Sequence, residues 1–408
     1  MIFQISHHSK IIDAQIDLPY SKSISNRALI IQAICQNSFK ISQLSKSTDS
    51  QELLTALNQK DNHIKIGDGG TTIRFLTAYL ATTNGTFYLS GSPRLNQRPI
   101  KDLVDALTDL GANIQYLKND GFPPLKIIGK KLKGGEVSIQ ADISSQFISA
   151  LLLIAPTLKE GLVINLKGQV LSRPYIQMTL DLMHYFGIQN SYHSNCIIIK
   201  PQQYLAKDLK VEADWSALAF LLECMVLSKN AKLRVNGLWQ NSWQGDIKVL
   251  ELFQALGIKS KFINNQLELI KTSIPTQNNF DLNLKDYPDL AQAYICTLSG
   301  LSKTATIEGL ENLKYKESHR LKALQEELSK IGQKCKFSQS DFRLLMSQIK
   351  RPQERFDPHN DHRMAMCLAP LALINDVSMN EPYVVEKSYP TYWDDLKKLG
   401  FTISVLTD

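Results

Sequence analysis

"DWSALAFLLECMVL", residues Asp214 to Leu227, reads as a polar cap followed by a helix that is apolar nearly all round. An acid just ahead of an apolar segment is a helix start signal. A helix without a polar face must be covered on every side, so this one belongs inside a domain. The same construction returns along the chain. It appears as "SKSISNRALIIQAIC" from Ser21, "GDGGTTIRFLTAYLA" from Gly67, "DISSQFISALLLIAP" from Asp142, "DYPDLAQAYICTLSG" from Asp286 and "HNDHRMAMCLAPLAL" from His359. Asp142, Asp214 and Asp286 recur at a constant spacing of 72 residues, and the last copy follows in register about Asp361. Such self-similarity decides an architecture before any single motif does.

A second segment type alternates with the first: a polar loop, then an amphipathic helix closed by glycine. Copies end at Gly111, Gly187, Gly257, Gly332 and Gly400, and "STDSQELLTALNQ" is a weaker one with Asn58 in the glycine's place. Glycine just past the last turn is the usual helix stop. Short alternating strands such as "KLRVNGL" and "ATIEGL" follow these helices. The chain therefore reads as six units of about 72 residues, each with two helices and several strands. That composition predicts an α+β fold of two similar domains, each of three βαβαββ units around buried helices. A solenoid of the same period fits less well, because Arg27 to Arg74 spans only 47 residues. The first unit is shortened by about one strand pair. The expected domains are 20–211, and 1–19 joined to 212–408, with crossings near Pro19 and Val211.

Composition sets the bounds. The 408 residues are 43% hydrophobic and 21% charged, which is globular and long enough for more than one core. No apolar run approaches about 18 residues, so no membrane span is expected. Residues 1–19 lack the apolar centre of a signal peptide, which leaves a cytoplasmic protein as the expectation. Six scattered cysteines with no CxxC pair suit free thiols in a reducing compartment and provide no metal spacing. The net charge of +7 permits an acidic ligand and is too diffuse to argue for nucleic acid.

Charge sits where a plain scaffold would not put it. "LPYSKSISNRAL", from Leu18 to Leu29, places Lys22 and Arg27 in and beside the first turn of a helix, where the dipole is already positive. Arg74, His362 and Arg363 stand at the starts of other buried helices. Arg94, Arg98, Arg173, Lys316, Arg320 and Lys387 lie in the loops before amphipathic ones. Free N–H groups and cations at one place suit phosphate and carboxylate, and these residues are expected to converge on one cleft. Ser144, Ser145 and Gln146 form an uncharged donor set for phosphate oxygens. Gly69-Gly70-Thr71-Thr72 lets backbone approach an anion closely. Asp289 and Glu317 lie beside cations, where a carboxylate can act as acid or base. Asp361 reads equally well as a plain N-cap. No GxxxxGK[ST] occurs, so P-loop nucleotide hydrolysis is unsupported.

These motifs, in this order, resemble the 5-enolpyruvylshikimate-3-phosphate synthase family of enolpyruvyl transferases. The resemblance runs through "LPYSKSISNRAL", "GGTTIRFL", "RPI", "SSQF", "SRPY", "YPDLA", "NLKYKESHRL", "NDHRMAM" and "EKSYP". It implies transfer of the enolpyruvyl group of phosphoenolpyruvate to the 5-hydroxyl of shikimate 3-phosphate with release of phosphate. It implies no cofactor and no metal. Carried over by position, it assigns Lys22, Ser23, Arg27, Ser144, Ser145, Gln146, Ser172, Tyr175, Asp289, Asn312 and Lys316 to shikimate 3-phosphate. Phosphoenolpyruvate would be held by Lys22, Gly70, Arg98, Gln146, Arg320, Arg363 and Lys387. Lys22, Asp289 and Glu317 would be catalytic. Residues 20–211 would supply most of the shikimate 3-phosphate site, and the other domain Asp289, Lys316, Glu317, Arg320, Arg363 and Lys387. The resemblance also implies an amino-acid biosynthetic enzyme, a glyphosate target, working as a monomer without nucleic-acid or membrane partners. Tyr20, Asp68-Gly69 and Phe75 depart from the family's usual Gly, Asn-Ala and Pro, and the first unit is about 26 residues short. A UDP-N-acetylglucosamine enolpyruvyl transferase is the nearest alternative, but "GSPRLNQRPI" lacks that enzyme's Cys. A non-catalytic anion or nucleic-acid binding protein is the alternative from another class. It would want aromatics among the basic clusters, and few are there.

Overall fold

A computed structural model describes residues 1–273 and 275–406. The chain divides into two compact units, Ser21–Val211, and Met1–Tyr20 with Glu212–Asp408. Twelve α-helices alternate in kind among the described residues. In the first unit they are α1 (Lys22–Ile34), α2 (Thr48–Asn58), α3 (Gly70–Thr82), α4 (Lys101–Asp109), α5 (Ser145–Ile154) and α6 (Arg173–Tyr185). In the second they are α7 (Trp215–Leu227), α8 (Val249–Gln254), α9 (Ala291–Gly300), α10 (Arg320–Ser329), α11 (His362–Leu368) and α12 (Tyr392–Lys398).

Odd-numbered helices are the buried ones. In α7 every residue but Ser216 is buried, and its start is fixed by Asp214, whose carboxylate accepts from the Ser216 and Ala217 amides at 2.9 and 3.3 Å. Each buried Leu or Phe there contributes about 1.5–3 kcal/mol relative to an exposed one. Even-numbered helices are covered on one face only, and five of the six end at a glycine with positive φ: Gly111, Gly187, Gly257, Gly332 and Gly400. The left-handed conformation at that position closes the last turn at little steric cost only for glycine.

Strands complete each repeat. In the chain around α9 and α10, Asn279–Asn283 runs parallel to Thr304–Glu308 across the buried helix, and the hairpin Cys335–Phe337 with Asp341–Leu344 follows antiparallel. The same strand, buried helix, parallel strand, amphipathic helix, hairpin order surrounds α3 with α4, and α5 with α6. Around α7 the leading strand is Ile11–Asp17, which pairs in parallel with Asn230–Asn236. This pairing ties the N-terminal segment to the second unit. Ile2–Ser6 likewise sits between Val377–Asn380 and Thr402–Leu406. Around α1 and α2 the described residues pair Ile41–Ser42 in parallel with Leu209–Lys210, a two-stranded sheet where the other repeats of this unit have four strands. All six cysteines are free, with Cys224, Cys296 and Cys367 buried and the other three partly covered. No described helix is long and apolar enough to cross a membrane.

Candidate functional site

In the Ser21–Val211 unit the polar side chains gather at the starts of the buried helices. Ser21 caps α1 by accepting from the Ile24 amide at 3.3 Å, which puts Lys22 in the first turn. Lys22 Nζ reaches Asp49 Oδ2 at 3.1 Å, and the Asp49 backbone carbonyl accepts from Thr72 Oγ1 at 3.0 Å. Lys22 is thus linked to the glycine-rich start of α3. Arg98, buried in the loop before α4, lies against Gly70 so closely that a Cβ built there would stand 2.6 Å from its guanidinium. Arg74 braces the same corner, donating to the carbonyls of Gly70 at 2.8 Å and Pro99 at 3.0 Å while lying over the Phe147 ring. Gln146, one residue into α5, donates to Thr71 Oγ1 at 3.0 Å, and Ser144 caps that helix. Asp68 accepts from the Ser92 hydroxyl.

Arg27, one turn into α1, is the most unusual group of this unit. It is 3% exposed, and its partners are all uncharged. Nε donates to Thr179 Oγ1 at 2.7 Å, one terminal nitrogen to the Ser23 carbonyl at 2.9 Å, and the other to Ser149 Oγ at 3.0 Å and the Tyr175 carbonyl at 3.3 Å. Among the described residues no carboxylate is paired with it. Burial pulls its pKa down to about 10. A buried cation without a counter-charge is costly unless an anion arrives. Ser172 stands at the N-cap position of α6 with φ of 56°, and Tyr175 lies in the first turn, next to the same cluster.

The Glu212–Asp408 segment carries a denser network. Asp289, in a one-turn 3-10 helix Pro288–Leu290, meets three cations: Lys316 and Arg320 at 3.3 Å each and Arg363 at 3.1 Å. Arg320, 1% exposed at the start of α10, also binds Glu317 at 2.8 Å and Asp361 at 2.7 Å. Lys387 closes the set at 3.5 Å from Glu317. Asp361 therefore has two roles, since it caps α11 through the Arg363 amide at 2.9 Å and anchors Arg320. Asn312 is buried in the 3-10 turn Glu311–Tyr315 ahead of Lys316.

The charges shift one another. Burial opposes ionisation of Asp289, but Arg363, Lys316 and Arg320 outweigh it and hold the carboxyl well below the usual range. Burial lowers Lys316 despite the pull of Asp289. Burial also works against the Arg320 charge, and Asp361, Glu317 and Asp289 more than offset it, so this guanidinium is firmly cationic. The arrangement can grip multiply charged anions through guanidinium forks. It also keeps carboxylates and an ammonium within reach for proton transfer.

Arg173 is exposed and stacks over Tyr192, and Arg94 is exposed at a 3-10 turn. Asp49 partners Lys22, and Ser149, Thr179 and Phe75 partner Arg27. Asp49 carries a weak signal, an acid in the first turn of α2; the other three look like ordinary helix interior. Among the described residues no cluster of three or more His, Cys, Asp or Glu side chains is placed to hold a metal ion.

The fold is that of the enolpyruvyl transferases. It matches the EPSP synthase of Acinetobacter baumannii with a TM-score of 0.76 over 99% of this chain and 100% of that one, at 19% identity. It matches the enolpyruvyl transferase NikO of Streptomyces tendae with the same TM-score over 100% and 99%, at 14% identity. In sequence, the 3-phosphoshikimate 1-carboxyvinyltransferase of Bacteroides fragilis is 42% identical over 97% of each chain. That of a Sulfurovum species is 34% identical over 95% of this chain and 97% of the relative. The profile of EPSP synthase (3-phosphoshikimate 1-carboxyvinyltransferase) matches residues 54–396, and the chain belongs to that family.

Proposed function

We propose that the protein transfers the enolpyruvyl group of phosphoenolpyruvate to the 5-hydroxyl of shikimate 3-phosphate, a 3-phosphoshikimate 1-carboxyvinyltransferase activity. The single observation that carries the reading is the network around Asp289 and Arg320. In it Asp289, Lys316, Glu317, Arg320, Arg363 and Lys387 are joined by ion pairs of 2.8 to 3.5 Å.

In this reading Asp289 accepts the proton of the attacking hydroxyl as its oxygen bonds to C2 of phosphoenolpyruvate. Glu317 and Lys22 deliver a proton to the methylene carbon, giving a tetrahedral adduct with a methyl group. A proton is then removed from that methyl, the C2–O bond to phosphate breaks, and inorganic phosphate leaves. Lys22, Arg98, Arg320, Arg363 and Lys387, with Gly70 and Gln146, hold phosphoenolpyruvate. Lys22, Ser23, Arg27, Ser144, Ser145, Gln146, Ser172, Tyr175, Asp289, Asn312 and Lys316 hold shikimate 3-phosphate. Fixed cations close to developing charge lower the barrier without needing to reorganise. The protein is proposed to act as a monomer in the cytoplasm, on small anionic metabolites alone.

The test is release of inorganic phosphate by purified protein given both substrates. Lys22→Ala or Asp289→Ala is expected to cut turnover by about 10²–10⁴-fold, the range for loss of a positioned acid or base. Folded protein that releases no more phosphate than buffer overturns the reading. Turnover with UDP-N-acetylglucosamine in place of shikimate 3-phosphate points to the sister activity.

A further inference from the structure

The Arg27 guanidinium has a companion that is not a hydrogen-bond acceptor. Phe75, in α3 and 1% exposed, presents its ring with the centroid 5.5 Å from the guanidinium carbon. The hydroxyl protons beside Arg27 are both committed. Thr179 Oγ1 accepts from Arg27 Nε and donates to the Tyr175 carbonyl at 2.9 Å, which leaves Ser149 as the donor in their mutual 2.9 Å bond. Four of the five guanidinium N–H groups are engaged in this way among the described residues.

Beyond neutral hydrogen-bond acceptors, a carboxylate or an aromatic face can hold a buried cation with direction. A carboxylate partner neutralises it and then competes with any anionic ligand. An aromatic face attracts the cation through its quadrupole and leaves the charge whole. We infer that Phe75 is a positioning residue for substrate binding, whose ring face holds the uncompensated Arg27 fork in place for the anionic acceptor substrate. The inference rests on the proposed function, in which that acceptor is shikimate 3-phosphate. Ser149 and Thr179 hold the fork through its N–H groups, and Phe75 meets it with the ring face. The three side chains come from α5, α6 and α3.

The experiment replaces Phe75 with 4-fluoro-, 3,5-difluoro- and 3,4,5-trifluorophenylalanine, which withdraw charge from the ring face with little change in volume. Phe75→Leu serves as the variant without a face. KM for shikimate 3-phosphate, and its Kd by calorimetry, are expected to rise stepwise with fluorine number to about threefold, and about three- to tenfold in Phe75→Leu. KM for phosphoenolpyruvate and kcat stay within about twofold. In an Arg27→Gln background, which leaves no cation at the ring face, the graded response in Kd is expected to disappear. Wild-type protein that binds and turns over shikimate 3-phosphate while the fluorinated series stays flat overturns this inference alone. Wild-type protein that neither binds that ligand nor releases phosphate overturns the proposed function, and this inference with it.

Discussion

Arg363 holds Asp289 with both arms, one nitrogen donating to its backbone carbonyl at 2.8 Å and the other to its carboxylate at 3.1 Å. With Lys316 and Arg320 on the second carboxylate oxygen, Asp289 is a weak base in this state. Anionic substrates compete for those same cations. As Lys316 and Arg363 turn towards a phosphate or carboxylate, Asp289 loses the partners that depress its pKa and becomes a better proton acceptor. A ¹³C NMR titration of the Asp289 carboxyl is expected to place its pKa well below the usual range in free protein and to move it upwards with shikimate 3-phosphate bound. A value unchanged or lowered by the ligand would sink the idea. Arg363→Lys cannot make both bonds and is expected to lower kcat/KM about 30-fold, roughly 2 kcal/mol.

Much of this arrangement was legible in the sequence, because repeats expose departures from themselves. The helix-ending glycines could be read directly, since their positive φ is a local demand. The short first repeat showed as a spacing of 47 where about 72 was due. Long-range partnerships left weaker traces. Nothing in "TTIRFL" says that the Phe75 ring covers Arg27, 48 residues earlier. Arg74 and Arg173 share the placement of the cations in the networks, yet one is turned to the carbonyls of Gly70 and Pro99 and the other to the Tyr192 ring. Position along a repeat locates a side chain's Cα, and tertiary packing then selects the rotamer and the partner.

Gly70 offers a test of how tightly Arg98 is held. A methyl group there would meet the guanidinium at 2.6 to 2.8 Å. What must move is the far end of a flexible side chain rather than backbone, so folding should survive. Gly70→Ala is expected to keep Tm within about 2 °C while raising KM for phosphoenolpyruvate about tenfold, the value of one charge-assisted contact. An unchanged KM would remove Arg98 from that role.

His359 and Glu327 form a pH-sensitive pair close to Asp361. The imidazole lies 2.9 Å from a Glu327 oxygen, which raises its pKa above the ordinary 6.5. A raised folded-state pKa means the contribution is complete below about 6.5 and fades as pH rises through the folded value. The pair is partly solvated and Lys330 also reaches Glu327 at 2.8 Å, so the expected contribution is under about 1 kcal/mol. Hydrogen exchange at residues 357–360, corrected for intrinsic rates, is expected to quicken between pH 6 and pH 8.5 in wild type and not in His359→Gln. Equal slopes in the two proteins would show that the pair is idle.

Glu223 lies in the middle of α7 at 0% exposure, and neither of its side-chain oxygens has a hydrogen-bond partner among the described residues. Burial pushes its carboxyl well above the ordinary 4.5, with Cys367 adding to the shift. The charged form of this carboxyl is therefore disfavoured in the folded protein. Its folded pKa is raised, so its favourable contribution is complete below about pH 4.5 and declines as pH rises towards the folded value. The slope is about 1.4 kcal/mol for each pH unit in that window. Glu223→Met keeps the length and apolar stem and removes the titrating group. The variant is expected to raise the Tm of the unit at pH 7.5, by about 2–4 °C for each kcal/mol relieved, and to flatten the dependence of Tm on pH between 5 and 7.5. Activity should follow wild type, because among the described residues no hydrogen bond joins the Glu223 carboxyl to Asp289, Lys316 or Arg320. A Glu223→Met protein less stable than wild type at pH 7.5 would mean that the buried carboxyl has a partner which holds this core together.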